Sequence, residues 1–418
     1  MGKILISLIC VTILALSGCP SLAHAATTTA PDYKALTQAA LKGDTQALAQ
    51  LQTGAKSGDV NAQKDLGDYY YSLHEYVDSF KWTQKAAAQG NAEAENDLGA
   101  DYDNGQGTPQ DSIQAFKWYQ KAADQGHATA ECNLGEDYLS GHGIQQDYTQ
   151  AFYWFQKAAA QGRADAEDNL GYLYLNGYGT TQDYDKAFIW YREAAEQGNP
   201  DAQYGLGTFY EQGLGTKQDY NQAFSWYQKA AAQGEAYAEY ALGNLYYYGR
   251  GVKQDYPQAF NWFQKAAEQG QVEAQYALGN LNLIGLGTKQ DYIQAFNWYQ
   301  KAAQQGESTA QYGLGNLYFY GQGVPQNYKL AMNWFEKAAA LKNADAEYVL
   351  GSLYAQGLGT KQDYTQAFNW YQKAALQGNA LACKNLSMMY ILGQGVTANL
   401  QKAQYWADRA QQFQNNGN

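Results

Sequence analysis

Cysteine is scarce in this sequence. Four occur in 418 residues, and two of them, Cys10 and Cys19, lie in an apolar leader. The other two, Cys132 and Cys383, stand far apart, and neither has a neighbour at metal-ligand spacing. A disulfide framework is therefore excluded, and the fold has to hold by packing alone. Long apolar runs are missing beyond the leader, so no later segment is suited to cross a bilayer. Positive charge is in deficit: 28 Lys and Arg against 40 Asp and Glu give a formal net charge of −12. Such an acidic surface repels phosphate backbones, which argues against nucleic acid as a partner. Hydrophobic residues make up 45% of the chain, too many for global disorder.

The leader has the layout of a secretory signal peptide, with Lys3 as its positive end and an apolar run from Ile4 to Leu16. Two cleavage patterns coexist. Leu16-Ser17-Gly18-Cys19 has the form of a lipobox, which ends the leader at residue 18 and makes Cys19 the candidate lipidation site. Ala23-His24-Ala25 has the small-x-small form, which ends it at residue 25. Either cut predicts an exported chain: periplasmic, an outer-membrane lipoprotein, or secreted. A membrane contact is expected only through a lipid on Cys19.

One period organises the rest. All ten tryptophans, from Trp82 to Trp406, stand 36 residues apart. Leu-Gly pairs (Leu98-Gly99 to Leu350-Gly351) and Ala-Ala pairs such as Ala122-Ala123 follow the same ruler. A fixed period of this length marks a solenoid or a propeller. Within one unit, Ala238, Ala241, Leu242, Leu245 and Tyr246 form an apolar stripe at helical spacing, and Gly249-Arg250-Gly251 breaks it. A second helix opens at Asp255. In most units Asp is followed three residues on by Gln, as in Asp147 and Gln150, which predicts a capping box. Each unit is thus two antiparallel helices that bury their aromatic faces only against neighbours. The expected fold is an all-α, right-handed α-solenoid of about ten repeats, spanning 59–410. Residues 26–58 are expected to be a linker and a degenerate capping half-repeat, and 411–418 a polar tail.

Leu-Gly-x-Leu-Tyr, the Gly-x-Gly loop, Asp-Tyr-x-x-Ala-Phe-x-Trp-Tyr-x-Lys-Ala-Ala and Gln-Gly resemble the Sel-one-like repeat, a tetratricopeptide relative. The resemblance implies an adaptor that holds protein complexes together, often in a bacterial envelope or outside the cell, in signalling, polysaccharide export or host contact. One cysteine-rich branch is linked to β-lactam hydrolysis. The repeats here lack paired cysteines, so no enzymatic activity is expected; a hydrolase is the remote alternative.

Few residues invite chemistry. The nine Gly-x-Gly loops follow helices rather than strands and lack the third glycine of a dinucleotide fingerprint, so they read as turns. His127, Cys132 and His142 share one unit, but both histidines fall at loop positions, where they read as solvated. Recurring lysines such as Lys121 and Lys229 lie near helix C-termini and complement the helix dipole. No cofactor and no metal site are expected. Most of the 38 tyrosines read as packing, and the remainder as contact surface for a protein or for sugar rings.

The informative deviation lies three residues after the repeated leucine. That position is apolar from Leu173 to Met389 but acidic at Asp101 and Asp137. Two residues before the leucine, the later tyrosines give way to Asn96, Cys132 and Asp168, and Asp97, Asn133 and Glu136 add to the same stretch. An unpaired buried carboxylate is costly, so these side chains need water or a partner. Asn96, Asp97, Asp101, Asn133, Glu136, Asp137 and Asp168 are therefore the candidate contact for a protein with basic segments. The chain is expected to be monomeric. Envelope polysaccharide or peptidoglycan is the alternative partner.

Overall fold

The computed structural model describes residues 31–416. It contains 22 α-helices, and no strand occurs among the described residues. The architecture is an all-α solenoid. The leader and Cys19 lie outside the described residues. Two compact units divide between Asp111 and Ser112.

The first unit holds α1 (Tyr33–Leu41), α2 (Thr45–Lys56), α3 (Val60–Ser72), α4 (Tyr76–Ala87) and α5 (Ala92–Asn104). Where the sequence suggests half a repeat, over Tyr33 to Gly58, there is a pair of helices. Asp32 and Asp44 cap them, each accepting from a backbone N–H three residues on. The second unit runs from α6 (Ser112–Asp124) through α7 (Ala128–Ser140), α8 (Tyr148–Ala160), α9 (Ala164–Asn176), α10 (Tyr184–Glu196), α11 (Pro200–Gln212), α12 (Tyr220–Ala232), α13 (Ala236–Tyr248), α14 (Tyr256–Glu268), α15 (Val272–Ile284), α16 (Tyr292–Gln304), α17 (Ser308–Tyr320), α18 (Tyr328–Ala340), α19 (Ala344–Gln356), α20 (Tyr364–Leu376) and α21 (Ala380–Leu392) to α22 (Leu400–Asn416). The last helix continues into the expected polar tail. Within each unit, every helix packs on the next in sequence.

The periodic stripe becomes the core. Ala238, Ala241, Leu242 and Leu245 of α13 are buried, as are Ala259, Phe263, Ala266 and Ala267 of α14. Gly243 lets the two helices close up: a Cβ there would lie 2.5 Å from the Phe263 ring. The same glycine–ring contact recurs at Gly135–Phe155 and Gly207–Tyr227. The recurring lysines have a more specific role than dipole compensation. Each reaches over the tryptophan three residues earlier, as Lys121 does at 3.5 Å from the Trp118 centroid and Lys229 at 3.5 Å from Trp226.

Capping differs from the expected box in one respect. Asp147 does accept from the N–H groups of Thr149 and Gln150. Its own N–H is already donated to the Tyr138 carbonyl, so the glutamine has no donor to reach back for. The residue before this cap adds a bond instead, since Gln146 donates to the Leu139 carbonyl at 2.7 Å.

A second glutamine latches helix ends. Gln233 donates to Gln203 at 3.0 Å, and Gln203 donates to the Ala195 carbonyl at 3.2 Å, which ties three successive helices. Gln161, Gln197, Gln269 and Gln377 donate to Glu131, Glu167, Glu239 and Glu347 in the same way. The last joint sets Phe413 opposite Cys383 and has no latch, and inside the array one more is missing. Leu341 stands where the glutamine belongs, and the Oε1 of Gln311 is buried without a partner. Beside it Lys342 occupies the glycine position with φ 62°, a left-handed conformation that costs a side-chain-bearing residue about 1–2 kcal/mol. Restoring the pair as Leu341→Gln/Lys342→Gly should stabilise the protein by about 1–2 kcal/mol. A thermal melt showing no rise would refute the latch.

Candidate functional site

The candidate residues fall in both units, and each unit has its own cavity. In the first, α3, α4 and α5 enclose about 290 Å³, lined by Asp68, Tyr71, Ser79, Thr83, Asp97 and Asp101 among others. Asp101 is only 4% exposed, and its carboxylate has no hydrogen bond or ion pair among the described residues. Burial first, then the charge of Asp97, pushes its pKa up to about 7. Asp97, half-buried, is pushed up to about 6 by burial and by Asp68, against the pull of Lys64 and a hydrogen bond from Asn96. Asp68 is already paired, because Lys64 Nζ lies 2.7 Å from it and 2.6 Å from Glu93.

In the second unit a more open cavity of about 550 Å³ is walled by Tyr148, Tyr172, Tyr191 and Tyr204, with Asp168 and Asp201 among them. No lysine or arginine lines it. The Oδ1 of Asp168 is buried without a partner. Burial, then Asp201 and Asp165, raises its pKa to about 7. Tyr148 stacks face to face on Tyr178, with centroids 4.5 Å apart.

The other candidates are placed differently. Asn96 is buried. Asp137 is buried with His142 Nδ1 at 3.8 Å, so that histidine meets a carboxylate rather than water alone. His127 caps α7, its Nδ1 accepting from the Ala130 N–H at 3.3 Å. Glu136 is exposed and accepts from Cys132 Sγ at 3.8 Å. Asn133 is half-buried. Burial pushes the Cys132 thiol well up, the opposite of an activated nucleophile. No group of acidic, histidine or cysteine side chains among the described residues is arranged to hold a metal ion.

Ten consecutive segments, beginning at 60–91 and ending at 380–410, match the Sel1 repeat family. The chain belongs to the Sel1-repeat family. Its relatives include a protective antigen of uropathogenic Escherichia coli strains, whose crystal structure displays an SLR fold. That protein is 36% identical, with a TM-score of 0.59 over 88% of this chain and 89% of its own. A Sel1 repeat protein from Oxalobacter formigenes is 35% identical, with a TM-score of 0.55 over 57% of this chain and 96% of its own. No curated protein matches. Sel1-repeat proteins generally mediate protein–protein interaction and are typically non-enzymatic.

Against the Sel1 period, two cavity-lining residues emerge that sequence reasoning missed. Thr83 takes the place of the buried ring that the next eight repeats carry, from Tyr119 to Tyr371, and Ser79 takes the place of alanine. Gly67, which in later repeats faces a ring, faces the Thr83 hydroxyl instead. The signal was present in the column 36 residues apart, but serine and threonine look innocuous until the helices are assembled around them.

Proposed function

We propose that this Sel1-repeat chain is a protein-interaction scaffold, exported to the bacterial envelope or beyond, that docks basic segments of a partner on its acidic sites. The supporting observation is that Asp101 and Asp168 are withdrawn from water without a cation of their own. A carboxylate so placed is stabilised by a lysine or arginine brought from outside. Export is supported by the signal-like leader, and no described helix is long and apolar enough to cross a membrane.

The experiment is a crosslinked pull-down with the mature chain beside Asp101→Leu/Asp137→Leu, which gives both positions the apolar character of later repeats. Capture by the native chain, loss in the variant and weakening with salt are expected. Equal capture by both would remove Asp101 and Asp137 from the interface. The tyrosine-walled cavity of the second unit also suits sugar rings, so binding of an envelope polysaccharide is the second reading. It predicts stacking that salt barely alters.

A further inference from the structure

The cavity of the first unit is not left over from loose packing. Three buried positions change character together around it. Ser79 replaces an alanine, Thr83 replaces a ring and Asp101 replaces an apolar residue. They are 2%, 5% and 4% exposed, so none is a surface substitution that drifted inward. The ring is what fills this space elsewhere, and its loss opens the cavity. The opening presents acceptors, namely the hydroxyls of Ser79 and Thr83 and the carboxylates of Asp97 and Asp101. Beside them lie the amides of Asn104 and Gln106, of which Asn104 already donates to the Ala100 carbonyl. Neither hydroxyl makes a side-chain hydrogen bond among the described residues. The Asp101 carboxylate and the two hydroxyls are withdrawn from bulk water with no side-chain hydrogen bond in return, which is costly.

We propose that this cavity is a socket for a primary ammonium group on an alkyl stem, supplied by a lysine side chain of a protein partner. The chemistry follows from the lining. An ammonium carries three donors and no acceptor, which complements hydroxyl and carboxylate oxygens. The resident ammonium of Lys64 is engaged by Asp68 and Glu93, leaving Asp97 and Asp101 to the guest. Tyr71, 46% exposed and edge-packed on Tyr76 with centroids 5.5 Å apart, offers an aromatic wall for the stem. The proposal rests on the scaffold reading for the source of the lysine, not for the socket itself.

The test is ligand-observed NMR at low salt and pH 7.5 with the mature chain. The probes are Nα-acetyl-lysine methylamide, 1,5-diaminopentane and, as an uncharged match, Nα-acetyl-norleucine methylamide. The lysine amide should bind and the norleucine amide should not. Affinity should fall at least tenfold in Thr83→Tyr, which refills the space, and in Asp101→Leu. Both substitutions restore what other repeats carry at these positions, and circular dichroism will confirm that the variants fold. Glu336→Gln, at an exposed position of α18 that lines neither cavity, should bind as the native chain does. Absence of binding by the native chain, or equal binding by Thr83→Tyr, overturns the socket. Tighter binding of the diamine than of the lysine amide overturns the partner lysine in favour of a free amine. Failure of the pull-down with intact amine binding would overturn the scaffold reading and leave the socket standing.

Discussion

The protein should gain stability as the pH falls from 7.5 to 5, against the usual behaviour of an acidic protein whose carboxylates are paired. Asp101 sits near pKa 7 when folded and near its ordinary 3.8 when unfolded, so the folded state binds the extra proton between those values. Stability from such a group is fully present below the lower value and is lost as the pH rises through the upper one. Asp65 and Asp97, each raised to about 6, act in the same direction, as does Asp168 at about 7. The charged groups facing Asp97 and Asp101 include Asp68 and Lys64 of α3 and Glu93 of α5, and Lys64 stays charged throughout this range. With one pH unit worth about 1.4 kcal/mol, Asp101 alone contributes roughly 2–3 kcal/mol between pH 7.5 and 5. Asp101→Leu should therefore stabilise the chain at pH 7.5 by about that amount and by much less at pH 5. Urea denaturation at the two pH values decides it. A midpoint that is flat or falls on acidification would show that Asp101 is ionised and compensated in the fold.

Gly323→Ala should be among the most damaging single-methyl additions in the molecule. Gly323 is the second glycine of its loop, with φ 71°, and a Cβ there would lie 2.6 Å from the carbonyl oxygen of Tyr292 at the start of α16. Backbone cannot swing aside as a side chain can. The left-handed conformation costs about 1–2 kcal/mol, and the overlap about 1–3 kcal/mol more, so a loss of roughly 2–4 kcal/mol is expected. Gly306→Ala is the matched comparison. Its φ is 92° but no atom lies within 4 Å of the added methyl, so only the conformational cost of about 1–2 kcal/mol remains. Equal losses in the two variants would show that the loop glycines serve the turn and not the contact between repeats.

These two cases also show where the sequence was transparent. The Gly-x-Gly loops were recognisable as turns because glycine is the residue that tolerates positive φ. That the second glycine seats a loop against the preceding repeat was not, because the partner is a backbone carbonyl with no side-chain signature. The core was legible for a different reason. Ala259, Leu242 and their equivalents repeat with a period that admits one buried face, and they are buried. The site was half legible. Asp101 stood out as a carboxylate in an apolar column, whereas Ser79 and Thr83 carry no charge and matter only through the volume they leave empty. The seven acidic and polar candidates read as one continuous stripe in sequence, yet they separate into distinct surroundings: Asp97 and Asp101 share a cavity, Asp168 belongs to another, and Asp137 meets a histidine.

The glutamine latch gives the array a grain. A wall whose courses are held by the same clip at each joint has no preferred place to part until one clip is left out. Between Gln311 and Leu341 it is left out, and a lysine under backbone strain stands beside the gap. Pulled from its two ends, the second unit would fray from that joint outward, releasing repeats on either side as separate blocks while the clipped joints stay shut.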